Sequence, residues 1–76
     1  MVDHAEQQLL DLGFHQVRVR IHGVMARIEL TPDEFPKLME EHTRNLVYQT
    51  LKLLGFTYVT LDLGGYRTGS MNETLA

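Results

Sequence analysis

Gln16-Val17-Arg18-Val19-Arg20-Ile21-His22-Gly23-Val24-Met25-Ala26-Arg27-Ile28-Glu29-Leu30 is the stretch that decides the fold. Two alternating runs flank a His22-Gly23 turn, the pattern of a β-hairpin. Successive strand side chains point to opposite faces. Val17, Val19 and Ile21 therefore share one face with Ala26, Ile28 and Leu30 of the return strand. Arg18, Arg20 and His22 share the other with Arg27 and Glu29. One face is core, and the other carries three arginines and a carboxylate.

N-terminal to the hairpin, Ala5, Leu9 and Leu12 have helical spacing, and Asp3 with Glu6 fits a capping box at the start of that helix. Gly13 ends it, with Phe14 folding back on the last turn. Beyond the hairpin, Thr31-Pro32-Asp33-Glu34 reads as a helix start with Thr31 as cap. Pro36 interrupts it, leaving one short turn and then a main helix from about Lys37 to Leu54. Its apolar stripe is Phe35, Leu38, Met39, Leu46, Val47, Thr50, Leu51 and Leu54. Phe56 to Leu63 reads as a third strand with Val59, Leu61 and Leu63 inward, and Tyr58, Thr60 and Asp62 on the polar face.

The chain echoes itself. Leu10-Asp11-Leu12-Gly13-Phe14 followed by Val17, Val19 and Ile21 matches Lys52-Leu53-Leu54-Gly55-Phe56 followed by Val59, Leu61 and Leu63. Two similar helix-glycine-strand units around a pseudo-two-fold are expected. The predicted fold is a two-layer α+β domain, α-β-β-α-β, over residues 1–63, with residues 64–76 a Gly/Ser-rich tail. The expected strand order is 2-1-3, with the third strand antiparallel to the first, both helices on one face and the polar face bare. Order 1-2-3 is the alternative.

At 76 residues with no cysteine, the chain excludes disulfides and thiolate metal sites. So small a domain needs support from another surface, and a homo-oligomer is expected. A net charge of −3 with no basic block argues against nucleic-acid binding. No apolar run is long enough for a membrane span or a signal sequence, so a cytoplasmic chain that does not engage membranes is expected.

Arg18 and Arg20 at i, i+2 on a strand can converge on one anion, with Glu29 orienting a guanidinium. The competing reading is a solvated sheet face with cross-strand ion pairs, each worth roughly 0.2–1 kcal/mol. Gly64-Gly65-Tyr66-Arg67-Thr68-Gly69-Ser70 has the composition to wrap an anion but lacks the lysine of a P-loop. Of the histidines, His22 is expected at an exposed turn and His42 half-buried on the helix. None has the paired spacing of a zinc site.

Leu12 to Arg20, Ala26-Arg27-Ile28-Glu29, Leu54 to Leu63 and Gly65-Tyr66-Arg67-Thr68-Gly69-Ser70-Met71-Asn72-Glu73 together resemble the C-terminal region of the ATP-dependent sacrificial sulfur transferases (the LarE, or ExsB-like PP-loop, family). The resemblance implies an N-terminal ATP pyrophosphatase domain in such proteins, using ATP and Mg²⁺. It implies adenylylation of a pyridinium mononucleotide carboxylate followed by sulfur insertion, from a sacrificed cysteine in well-known members. The product feeds the nickel-pincer cofactor of lactate racemase. It further implies phosphate or substrate binding by Arg18, Arg20 and Glu29, joined by Arg67 and Ser70, and a part in oligomer contacts. This chain has no such phosphate loop and no cysteine, and Gly64 stands where an acid is expected. Expected here is therefore a substrate-side and oligomerisation domain, inactive and without a cofactor of its own. It would work with a PP-loop ATPase domain in cis or in trans on a phosphate or nucleotide-like ligand. The rival is a small dimerisation module with no ligand.

Overall fold

The computed structural model describes residues 2–66. The elements are α1 (Val2–Asp11), β1 (Val17–His22), β2 (Met25–Leu30), a 3-10 turn (Pro32–Glu34), α2 (Phe35–Met39), α3 (Glu41–Leu53) and β3 (Tyr58–Leu61). The class is α+β, with helices packed on one three-stranded mixed sheet. No helix among the described residues is long and apolar enough to cross a membrane.

The hairpin forms in the register its alternation requires. Val17 pairs with Leu30, Arg18 with Glu29, Val19 with Ile28 and Arg20 with Arg27. The loop is Gly23-Val24, one residue later than expected. Val17, Val19, Ala26, Ile28 and Leu30 are buried with Ala5, Leu9, Leu38, Val47 and Leu51 from the helices. Ile21 is the exception, at 37% exposure near the hairpin end.

The internal echo is a repeated helix stop. In the first unit, Gly13 N–H donates to Leu10 O at 2.9 Å and Phe14 N–H to Leu9 O at 3.3 Å. In the second, Gly55 N–H donates to Lys52 O at 3.0 Å and Phe56 N–H to Leu51 O at 3.4 Å. Both are Schellman motifs, which need a left-handed residue at the stop. Gly13 and Gly55 supply it, with φ of 101° and 109°. Phe14 and Phe56 then turn back into the core beside Leu9 and Leu51.

The strand order corrects the expectation. It is β1-β2-β3, the alternative order, with β3 parallel to β2. β3 still runs opposite to β1, but β2 is the central strand. Two physical causes act together. The α2–α3 connection carries the chain across the sheet, as a parallel neighbour requires. The outer edge of β1 is also engaged: Val19 N–H donates to Glu6 Oε2 at 2.9 Å. Glu6 was expected to close a capping box. Instead α1 begins at Val2, Asp3 lies inside it, and the Glu6 carboxylate serves the sheet.

The second helical region also differs. Thr31 occupies the cap position but makes no side-chain cap bond, and a 3-10 turn follows. Pro36 sits in the first turn of α2, where it removes no helical bond. The break falls later, at Glu40, with φ −59° and ψ 134°. Its carboxylate accepts from Thr43 N–H and Thr43 Oγ1, both at 2.9 Å, and so caps α3. Met39 and Leu46 leave the core as a result, and His42 is exposed rather than half-buried. β3 stops at Leu61, so Leu63 is 82% exposed rather than inward.

Glu34 is the other buried acid. Its carboxylate accepts from His15 N–H at 3.0 Å and faces His15 Nδ1 at 3.2 Å. Lys37 Nζ donates to Gly13 O at 2.8 Å and lies 4.9 Å from the Phe14 ring centroid. These bonds tie the α1–β1 corner to the 3-10 turn and α2.

Candidate functional site

The sheet face opposite the helices gathers Arg18 and Arg20 from β1, and Arg27 and Glu29 from β2. Strand parity puts all four on that face, and the hairpin register puts Arg18 directly opposite Glu29. The order of strands moves the arginine pair to an edge strand and places Glu29 at the centre of the sheet.

Glu29 is 7% exposed, although its side chain leaves the apolar core. Its Oε1 accepts from Arg20 Nε at 3.4 Å and its Oε2 from Arg27 Nη2 at 3.2 Å. A buried carboxylate needs such donors, because an unpaired one would carry its full desolvation cost. Arg27 also faces Asp62, just past β3, with Nε 3.8 Å from Oδ2. That is an ion-pair distance, too long for a hydrogen bond. The buried Arg27 Nε has no hydrogen-bond partner among the described residues.

The face is not bare. After β3 the chain turns through Gly65 N–H to Asp62 O at 3.0 Å and rejoins β2, where Tyr66 N–H meets Leu30 O at 2.6 Å. Gly65 is required there. Its φ is 82°, and a Cβ would stand 3.0 Å from Leu30 O and 3.3 Å from the Pro32 ring. This path carries Tyr66 across to β1, where the Arg18 guanidinium lies 5.9 Å from the ring centroid. Tyr66 first, then the Glu6 carboxylate, hold Arg18 above the ordinary arginine pKa, so it is charged throughout the working range.

Arg18, Arg20 and Glu29 thus come together as a cluster, while Arg67, Ser70 and most of the proposed anion-wrapping tail lie outside the described residues. Sequence reasoning passed over Tyr66 as a site residue. Its signal was local: a glycine immediately before an aromatic, at the point where the chain must pass closely over β2. Three guanidiniums meet three carboxylates here, those of Glu6, Glu29 and Asp62, so the charges of the face are close to balance. Arg20 and Arg27 are held by Glu29, whereas Arg18 lies against the Tyr66 ring and makes no ion pair within 4 Å among the described residues. Of the three, Arg18 is the guanidinium with the chemistry to meet a further anion. Among the described residues no three metal-binding side chains cluster.

No protein-family model matches the chain. It is 51% identical over 71 residues to the pyridinium-3,5-bisthiocarboxylic acid mononucleotide synthase of Lactiplantibacillus plantarum, a match covering 93% of this chain and 25% of that protein. It is 43% identical over 74 residues to the uncharacterized protein slr1717 of Synechocystis, covering 97% of this chain and 28% of that protein. The chain therefore spans about a quarter of the length of the curated relatives it matches.

Proposed function

We propose that this chain is the substrate-side domain of an ATP-dependent sulfur transferase that makes a pyridinium thiocarboxylic acid mononucleotide. In this reading Arg18 and Arg20 bind the phosphate or an ionised acid group of the nucleotide. Glu29 fixes the Arg20 and Arg27 guanidiniums, and Arg67 and Ser70 complete the anion site. The observation that carries the reading is the arginine cluster around Glu29, on a chain 51% identical to a quarter of a synthase of such a mononucleotide. A mononucleotide carries the anionic groups that planar guanidiniums recognise.

The domain does no chemistry alone. The sequence has no thiol to give up as sulfur donor and no phosphate loop for ATP. ATP and Mg²⁺ belong, in this reading, to a PP-loop ATPase domain that works with this one in cis or in trans. The product would go on to nickel-pincer cofactor assembly for lactate racemase. The assembly is a homo-oligomer in the cytoplasm, which the 88% exposure of Leu53 and the 82% exposure of Leu63 support. Sedimentation over a wide concentration range tests that part, and a monomer throughout rejects it.

The binding role is tested by titrating inorganic phosphate and a pyridine mononucleotide into the labelled chain, following the amides of residues 16–30. Shifts are expected in the wild type, and Arg18→Ala or Arg20→Ala should weaken binding about ten-fold or more. The same variants in a reconstituted two-domain protein should lose sulfur transfer. Undiminished transfer there rejects the assignment.

A further inference from the structure

Among the equivalent positions at which the two repeat units differ, one pair bears on the sheet edges. Glu6 and Tyr48 lie equally far before Gly13 and Gly55, and Val19 and Leu61 equally far after them. In the first unit Glu6 takes the outward Val19 N–H and engages the edge of β1. In the second unit a tyrosine stands where that carboxylate would be.

Among the described residues the outer edge of β3 is open. Tyr58 N–H donates to Val24 O and Asp62 N–H to Ile28 O, so the even-numbered residues face β2. Parallel pairing alternates, which directs the N–H and C=O groups of Val59 and Leu61 outward. They have no strand partner among the described residues. Beside this edge runs a groove of about 300 Å³ between β3 and the α2–α3 pair. Leu38, Met39, Val47, Tyr48, Val59 and Leu61 make it apolar, and Arg44 stands in its wall. Arg44 makes no ion pair among the described residues.

We propose that this edge and groove receive an extended segment as a fourth strand. The segment comes from the part of the family's chain outside the match. It bears alternate apolar side chains for the groove and a carboxylate for Arg44. An unpaired strand edge selects an extended backbone, and the adjoining groove takes every second side chain. The occupant follows from length and charge. About three quarters of each curated relative lies beyond the region this chain matches. β3 has four residues, so two copies paired through it alone would cover little of what a stable dimer buries. The inference rests on the proposed function to the extent that the chain works with that remaining part.

The test uses amide hydrogen exchange on the labelled 76-residue chain. The partner is the separately produced, unmatched part of the Lactiplantibacillus plantarum synthase. Binding should slow Val59 and Leu61 ten-fold or more and leave Val19 unchanged. Arg44→Glu should weaken association at least ten-fold. Binding that leaves Val59 and Leu61 fast overturns the docking site and leaves the proposed function standing. No binding overturns both. Val59 and Leu61 already slow in the dilute chain, or slowing with its concentration alone, also overturns the inference, because the chain then covers its own edge or pairs with a second copy.

Discussion

Arg27 and Glu29 sit two residues apart on the central strand, and Arg27 Nη2 donates to Glu29 Oε2 at 3.2 Å. The acceptor is buried and the donor is not: the Arg27 side chain is 36% exposed and that of Arg20 is 46% exposed. A buried carboxylate held by two half-exposed cations organises the face from its centre.

Removing either end of this arrangement has unequal consequences. Glu29→Ala takes away the common acceptor and leaves two guanidiniums facing each other. It should cost about 1–2 kcal/mol, the lower part of the range for charged hydrogen bonds, because solvent screens both arginines. Arg20→Ala leaves Glu29 paired with Arg27 and should cost about 0–1 kcal/mol. Urea denaturation of the two variants gives the comparison. Equal losses would mean that Glu29 is not the shared anchor.

Acid should loosen α3 at its start. The Thr43 amide first, then its hydroxyl, hold the Glu40 carboxyl below the ordinary glutamate pKa of 4.5. A depressed folded pKa stabilises the folded state above the unfolded value, and that contribution fades as pH falls through the folded value. The Glu40 carboxyl carbon and the Thr43 amide should titrate together with a midpoint under 4.5. A midpoint at or above it contradicts the cap.

The two helix stops can be separated by substitution. Gly55→Ala places a side chain at φ 109° with nothing nearby to strike. It should cost about 1–2 kcal/mol from backbone conformation alone, lowering Tm by roughly 4–8 °C per kcal/mol in a domain this size. Gly13→Ala should cost more, since its Cβ would come 2.6 Å from Lys37 Nζ and break the Lys37 bond to Gly13 O. Thermal melts that rank them the other way would refute the account.

Glu6 acts on β1 rather than on its own helix. Glu6→Ala should speed exchange at the Val19 amide about five-fold, for a lost hydrogen bond near 1 kcal/mol. Glu6→Gln keeps a carbonyl acceptor and should keep most of the protection. Unchanged exchange in the alanine variant would remove Glu6 as the edge closure.

The elements legible in the chain are those whose hydrogen bonds close over a few residues. The hairpin register follows from alternation on either side of a tight turn. The two Schellman stops follow from a glycine and phenylalanine after an apolar run. Arg18, Arg20 and Glu29 could be placed on one face for the same reason, because strand parity is local. Tertiary structure decided the rest. Both edges of the hairpin were open to β3 on paper, and in the fold Glu6, reaching β1 from another element, occupies one of them. Glu40 reads as one more polar residue inside a helical run until Thr43 turns it into a cap. Glu29 reads as a solvated acid until β2 becomes central and the Gly65-Tyr66 segment returns to Leu30. Burial of a polar group is set by what lies across it, and those neighbours are distant in the chain. Sequence alone therefore determined which residues share a face, and only the packing of remote segments determined which of them lost contact with water.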